Sequence, residues 1–95
     1  MNDTIDTITD HLCQIAFPIK AEKGHNHYWY CTQEQAICWA EAYRKVDVVA
    51  EALRAKAWLM SNESNRKTPR GMGKFLNGWF SRTEPVRTFV NQAKF

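Results

Sequence analysis

Apolar residues recur along this chain at intervals that predict four helices and one hairpin. Ile5, Ile8, Leu12 and Ile15 fall at helical spacing over residues 4–13. Asn2, Asp3 or Thr4 is available as a cap, and acids occupy the first turn, where they complement the helix dipole. This short amphipathic helix is expected to end near Cys13 or Gln14. Two β-rich runs come next, Phe17-Pro18-Ile19 and His27-Tyr28-Trp29-Tyr30, on either side of polar Glu22-Lys23-Gly24. They read as a two-stranded hairpin in which Pro18, lacking an N–H, confines its strand to an edge. Thr32-x-x-Gln35 is a capping-box pattern, with a hydroxyl placed to accept from the Gln35 N–H and an amide placed to reach back. The helix it opens carries Ala36, Trp39, Ala40 and Tyr43 on one face, with Arg44 and Lys45 at its C-terminal end.

Asp47 is the expected cap of a further helix running to about Ser61, with an apolar stripe of Val46, Val49, Leu53, Ala57 and Met60. Asn62 to Lys67 is a polar linker. Thr68-Pro69 then restarts a helix in the favoured order, a cap followed by proline at the first helical position. Within it Met72, Phe75, Leu76, Trp79 and Phe80 stand at i, i+3, i+4, i+7 and i+8, which predicts one buried face. Arg70, Lys74, Asn77, Ser81 and Arg82 take the opposite side. A second start, Thr83-x-Pro85, opens either a short terminal helix with Val86, Phe89 and Val90 or a tail. The expected fold is mainly α: a small helical bundle of three core helices plus an N-terminal helix, with a two-stranded β-hairpin. Residues 1–14 form the N-terminal helix, 15–82 the helical module with its hairpin, and 83–95 the short C-terminal helix or tail.

Composition narrows this to one small folded domain. The chain has 95 residues, 44% hydrophobic and 13% aromatic with four tryptophans, too apolar for a disordered segment. Its charge is unevenly spread. Residues 1–60 carry six Lys/Arg against eight Asp/Glu, whereas residues 61–95 carry seven against two, so a basic third follows a slightly acidic body. That asymmetry points to a localised anionic partner, with solubilising surface charge as the plainer alternative, and argues against a nucleic-acid mimic. The start, MNDTIDTITD, lacks the basic and apolar regions of a secretory signal, and no apolar run approaches the roughly 20 residues of a membrane span. Three cysteines cannot all pair within one chain. The expectation is a cytoplasmic protein with reduced thiols.

Four features bear on chemistry. Gly71, Gly73 and Gly78 lie inside one predicted helix, each costing up to about 1 kcal/mol against alanine. Either they permit close helix–helix contact, or Gly71 and Gly78 form a smooth strip for a backbone or partner helix, flanked by Lys74 and Arg82. Trp58 stands roughly 140° from Leu53 around its helix. It is a candidate stacking or anchoring residue, although a tryptophan so placed is more often covered by the next element. His25, His27, Cys31 and Cys38 are all zinc-ligand types, but their spacing matches no standard finger. No phosphate-binding glycine loop, no H-E-x-x-H and no arranged carboxylate pair is present, so no catalytic residue, metal or cofactor is expected.

Several of these residues taken together resemble a known pattern. Trp39 to Tyr43, Val46-Asp47-Val48, Glu51 to Trp58, Arg66-Lys67-Thr68, Gly71-Met72, and Phe75-Leu76-x-x-Trp79-Phe80-x-Arg82 look like the C-terminal module of phage replisome organisers and primosome-like replication proteins. The preceding FPIK…HYWYCTQEQ looks like the hairpin and capped helix that lead into it, so the likeness covers roughly residues 15–82. In that family a winged-helix origin-binding domain and a linker usually precede the module. Here a short acidic helix stands before it, and the resemblance therefore carries over the accessory half of the family's role. It implies a phage-encoded, non-enzymatic DNA-replication accessory in the host bacterial cytoplasm. Such a protein would contact single-stranded or origin DNA, recruit the host replicative helicase or another replication protein, or do both. Arg66, Lys67, Arg70, Lys74 and Arg82 are the expected phosphate contacts, and Tyr28, Trp29, Tyr30 and Trp58 the expected partner-facing aromatics. The rival reading is a small phage protein that inhibits a host replication machine or defence nuclease by binding it. A homodimeric scaffold is a third class the sequence leaves open.

Overall fold

A computed structural model describes the backbone of residues 3–22 and 25–83. The elements in order are α1 (Asp3–Cys13), a hairpin of β1 (Phe17–Glu22) and β2 (His25–Trp29), α2 (Gln33–Ala42), α3 (Val48–Ser61), a single 3-10 turn (Glu63–Asn65) and α4 (Pro69–Thr83). The fold is thus mainly α with one two-stranded antiparallel hairpin, as the periodicity implies. Pro85, Val86, Phe89 and Val90 lie outside the described residues.

Local chemistry explains where the helices begin. At α2 the Gln35 N–H donates to the Thr32 hydroxyl at 3.1 Å and the Thr32 N–H donates to the Gln35 side-chain oxygen at 2.9 Å, a complete capping box. At α3 the Asp47 carboxylate accepts from the Ala50 N–H at 3.1 Å. At α4 the Thr68 hydroxyl accepts from the Gly71 N–H at 3.2 Å, with Pro69 at the first helical position. The C-terminal end of α3 is closed by side chains reaching back. The Asn62 amide donates to the Trp58 carbonyl at 2.8 Å, and Arg66 Nε donates to the Leu59 carbonyl at 3.1 Å.

In the hairpin Phe17 faces Trp29, Pro18 faces Tyr28 and Ile19 faces His27, with an irregularity before Glu22 meets His25. Phe17 and Ile19 are buried, and Trp29 packs on Phe17 at 6.0 Å between ring centroids. Trp29 therefore holds the hairpin against the core and does not stand out beside Tyr28 and Tyr30, which are both exposed. The Lys20 N–H donates to the Lys67 carbonyl at 3.0 Å, tying the α3–α4 linker to β1.

The core gathers Leu12 from α1, Phe17 from β1, Val48 and Leu59 from α3, and Met72, Leu76 and Phe80 from α4. Two expectations change here. The buried row of α3 is Val48, Ala52, Ala55 and Leu59, whereas Leu53, Ala57 and Met60 of the expected stripe are exposed. The cause is room. Both α1 and β1 approach α3, and alanines at 52 and 55 admit the bulk of their neighbours where leucine would collide. On α4, Met72, Leu76 and Phe80 are fully buried, but Phe75 and Trp79 are only partly buried, packed against the margin of the core.

Cys31 is buried, and that burial, reinforced by the neighbouring Cys13 thiol, pushes its pKa up to about 12. Cys38 is exposed on α2. Alkylation at neutral pH should therefore modify Cys38 well before Cys31, which should react only on unfolding. Equal rates by mass spectrometry would show Cys31 to be accessible. Leu59→Ala should destabilise the domain by roughly 2–5 kcal/mol, and Leu53→Ala by no more than about 0.5 kcal/mol. The reverse order in denaturant titrations would mean that α3 presents its other face to the core.

Candidate functional site

Two rows of side chains run side by side along α4. Phe75 and Trp79 form an aromatic row at i and i+4. Lys74, Gly78 and Arg82 form the adjoining row at i, i+4 and i+8. Because Met72, Leu76 and Phe80 fix which side faces the core, the aromatic row turns toward α3 and meets Trp58. The Trp58 and Phe75 rings stack at 6.0 Å with planes 30° apart, Phe75 and Trp79 lie 5.7 Å apart, and Trp58 and Trp79 6.4 Å. Trp58 is thus partly covered by the next helix, yet it retains 36% of its surface in solvent.

These rings line a groove of about 690 Å³ together with Lys67, Lys74, Asn77, Gly78 and Arg82. That volume falls inside the roughly 300–1,000 Å³ range of ligand-binding clefts. Among the described residues lining it, three carry positive charge and none carries negative charge. The Lys67 ammonium sits 5.2 Å from the centre of the Phe75 ring, a cation–π distance. One acid touches a groove ring without lining the groove. Trp79 Nε1 donates to Glu51 Oε1 at 3.1 Å, and the other Glu51 oxygen lies 3.5 Å from Arg54, so the carboxylate holds the indole edge in place. On the opposite flank the Tyr43 hydroxyl donates to Asn77 Oδ1 at 2.9 Å.

The glycines divide between the two roles open to them. A Cβ at Gly73 would stand 3.0 Å from the Gln35 amide nitrogen, so this glycine admits the start of α2. Among the described residues, a Cβ at Gly78 would meet only the end of the Arg82 side chain, at 3.4 Å, beside the groove that Gly78 lines. A Cβ at Gly71 would lie beside the helix's own cap, 3.4 Å from Thr68 Oγ1.

Of the five cations expected to contact phosphate, the structure gathers Lys67, Lys74 and Arg82 into the groove. Arg70 is exposed in the first turn of α4 and does not line it. Arg66 serves the fold instead. Its side chain is only 14% exposed, and it caps α3 through Leu59 while approaching Glu63 at 3.9 Å. Of the four expected partner-facing aromatics, Trp58 alone lines the groove. Phe75 and Trp79, assigned from sequence to the core, are the groove's other rings. Their signal was the basic row one residue earlier on the same helix. Lys20 is a further cation that sequence reading passed over, and it lines a second, smaller cavity.

The described residues hold no cluster of three or more His, Cys, Asp or Glu side chains arranged to bind a metal ion. No helix among them is long and apolar enough to cross a membrane. No family model, curated protein or solved structure matches this chain.

The split between Arg66 and the groove cations has a measurable consequence. Arg66→Ala should lower stability by roughly 1.5–3 kcal/mol, a drop in melting temperature on the order of 10 °C. Lys74→Ala should leave the melting curve nearly unchanged, as expected for an exposed charge. Equal melting temperatures for the two variants would show that Arg66 does not cap α3.

Proposed function

We propose that this protein binds single-stranded DNA in the groove between α3 and α4 and serves as a non-enzymatic accessory in phage DNA replication. The observation that carries the binding half is the meeting of three aromatic rings with three cations on one open surface, with no carboxylate among the described residues that line it. Single-strand binders combine these two elements: π-faces that accept any base, and a positive track for the backbone. A basic helix can enter the major groove of a duplex, but the basic row of α4 shares its recess with three aromatic rings, which a duplex has no unstacked base to meet. A recess lined by partly exposed rings suits unstacked bases. The replication half rests on the sequence resemblance to replisome-organiser modules, which also supports a host replicative helicase or another replication protein as a working partner.

Fluorescence anisotropy with labelled oligothymidylate tests the binding. Affinity should fall with salt along a log–log slope near −2, about −0.7 for each of three phosphates neutralised. Trp58→Ala should weaken binding by roughly 1–3 kcal/mol, or about 5- to 150-fold, the contribution of one stacked base. Gly78→Ala separates folding from binding. It should stabilise the helix by about 0.5–1 kcal/mol, yet weaken DNA binding by adding a methyl group to the groove's lining. If the wild-type protein shows no salt-sensitive binding at about 50 mM salt, where the counterion contribution is large, direct DNA contact is wrong. The groove would then serve an acidic protein segment, and inhibition of a host machine would become the leading reading.

A further inference from the structure

A second cavity of about 300 Å³ adjoins the aromatic groove, lined by Lys20, Ser64, Asn65, Arg66, Lys67, Thr68 and Gly71. Lys67 lines both, so the two recesses meet at this one side chain. The second differs in character: among the described residues its lining has no aromatic ring and consists of cations, hydroxyls and one amide. Backbone bonding fixes part of this arrangement, and two of the cations already have charged or π neighbours: Arg66 approaches the exposed Glu63 carboxylate and Lys67 lies 5.2 Å from the Phe75 ring centre. The Lys20 N–H to Lys67 carbonyl bond, at 3.0 Å, sets the two lysine backbones side by side across β1 and the linker. Arg66 lines the cavity while anchored through Nε to the Leu59 carbonyl, with Nη2 3.9 Å from the Glu63 carboxylate. The Gly71 N–H is already taken by Thr68, so it is not free to bind a ligand, and Lys20, Arg66 and Lys67 supply the cavity's formal charge.

We infer that this cavity is a backbone subsite for the same single strand. The chain leaves its stacked bases on Trp58, Phe75 and Trp79, crosses Lys67, and places a following phosphate beside Lys20. The inference rests on the proposed single-strand binding and adds to it a path and a new contact residue. Charge complementarity selects the occupant. A cavity whose described lining has three cations, no carboxylate and no ring offers a phosphate ionic and hydrogen-bonding partners but offers a base no stacking surface. A strand long enough to reach both recesses gains the Lys20 contact; a shorter one, held by the rings, does not.

The test compares oligothymidylates of about four and about sixteen nucleotides, the span of site sizes found in small single-strand binding folds. Lys20→Ala should weaken binding of the long strand by roughly 8-fold at about 50 mM salt and about 3-fold at about 200 mM, with the salt slope flattened by about 0.7, the loss of one phosphate contact. Binding of the short strand should be unchanged. Asn65→Asp, which sets a negative charge in the cavity at nearly constant shape, should show the same selectivity for the long strand. Lys20 is exposed and the bond to Lys67 is made by its backbone, so the melting temperature of Lys20→Ala serves as the folding control. If both variants bind both strands like wild type while Trp58→Ala weakens both, the path through Lys20 is wrong and the aromatic groove stands. If wild type binds neither strand, the proposed function fails and this path fails with it.

Discussion

The rotation of α4 about its own axis is set by one ring. Phe80 is fully buried, with Trp39 5.4 Å away edge-on and Tyr43 at 6.0 Å, both from the α2 end of the domain. Burying a phenylalanine completely is worth roughly 1.5–3 kcal/mol over leaving it exposed, and Leu76 and Met72 add to the same row at intervals of four. Once that row is committed inward, helical geometry leaves no choice about the rest. Phe75 and Trp79 must face α3, and Lys74, Gly78 and Arg82 must lie along the outer lip. The groove is thus a by-product of where the core ring goes.

The opposite wall depends on α3, whose core row of Val48, Ala52, Ala55 and Leu59 is mostly small. Small residues let α3 sit close to its neighbours, and the same rotation brings Trp58 onto Phe75. Glu51 lies on that side of the helix and receives the Trp79 indole N–H, while Arg54 balances its charge. A carboxylate beside a basic groove would ordinarily weaken anion binding. Here one oxygen accepts from the Trp79 indole and the other lies near Arg54, so the carboxylate contributes order to the ring without lining the recess.

The backbone plan was legible because its determinants are local. Thr32, Asp47 and Thr68 each cap the helix they were expected to cap, and the edge-restricted Pro18 strand pairs as the two β-rich runs suggested. Side-chain destinations were less legible because they are settled by distant partners. The stripe of Leu53 and Met60 reads as core by size, but two alanines buried in their stead carry almost no periodic signal. Phe75 and Trp79 look like core by type, and only the position of Trp58 makes them a shared surface. Arg66 reads as a surface cation, and its use of Leu59 depends on a linker conformation that no spacing rule predicts. Lys20 is forty-seven residues from Lys67 in sequence, so their proximity comes from tertiary pairing alone.

An open groove lined with rings invites collapse, and the way it stays open separates folding from binding. Each ring shields its neighbour: three aromatic pairs at 5.7–6.4 Å satisfy much of the apolar surface without closing the recess. Lys67 over Phe75 adds a cation–π contact of roughly 0.5–1 kcal/mol at a site that keeps its ammonium wet. The residues that hold the domain together, Phe80, Leu76, Met72 and Leu59, all lie on other rows. Folding therefore places little demand on the side chains at 74, 78 and 82, and a glycine in the middle of that row is unfavourable for the helix. Gly78 thus weakens the helix at a position where, among the described residues, a side chain would meet the end of Arg82 at the border of the recess and none of the buried core.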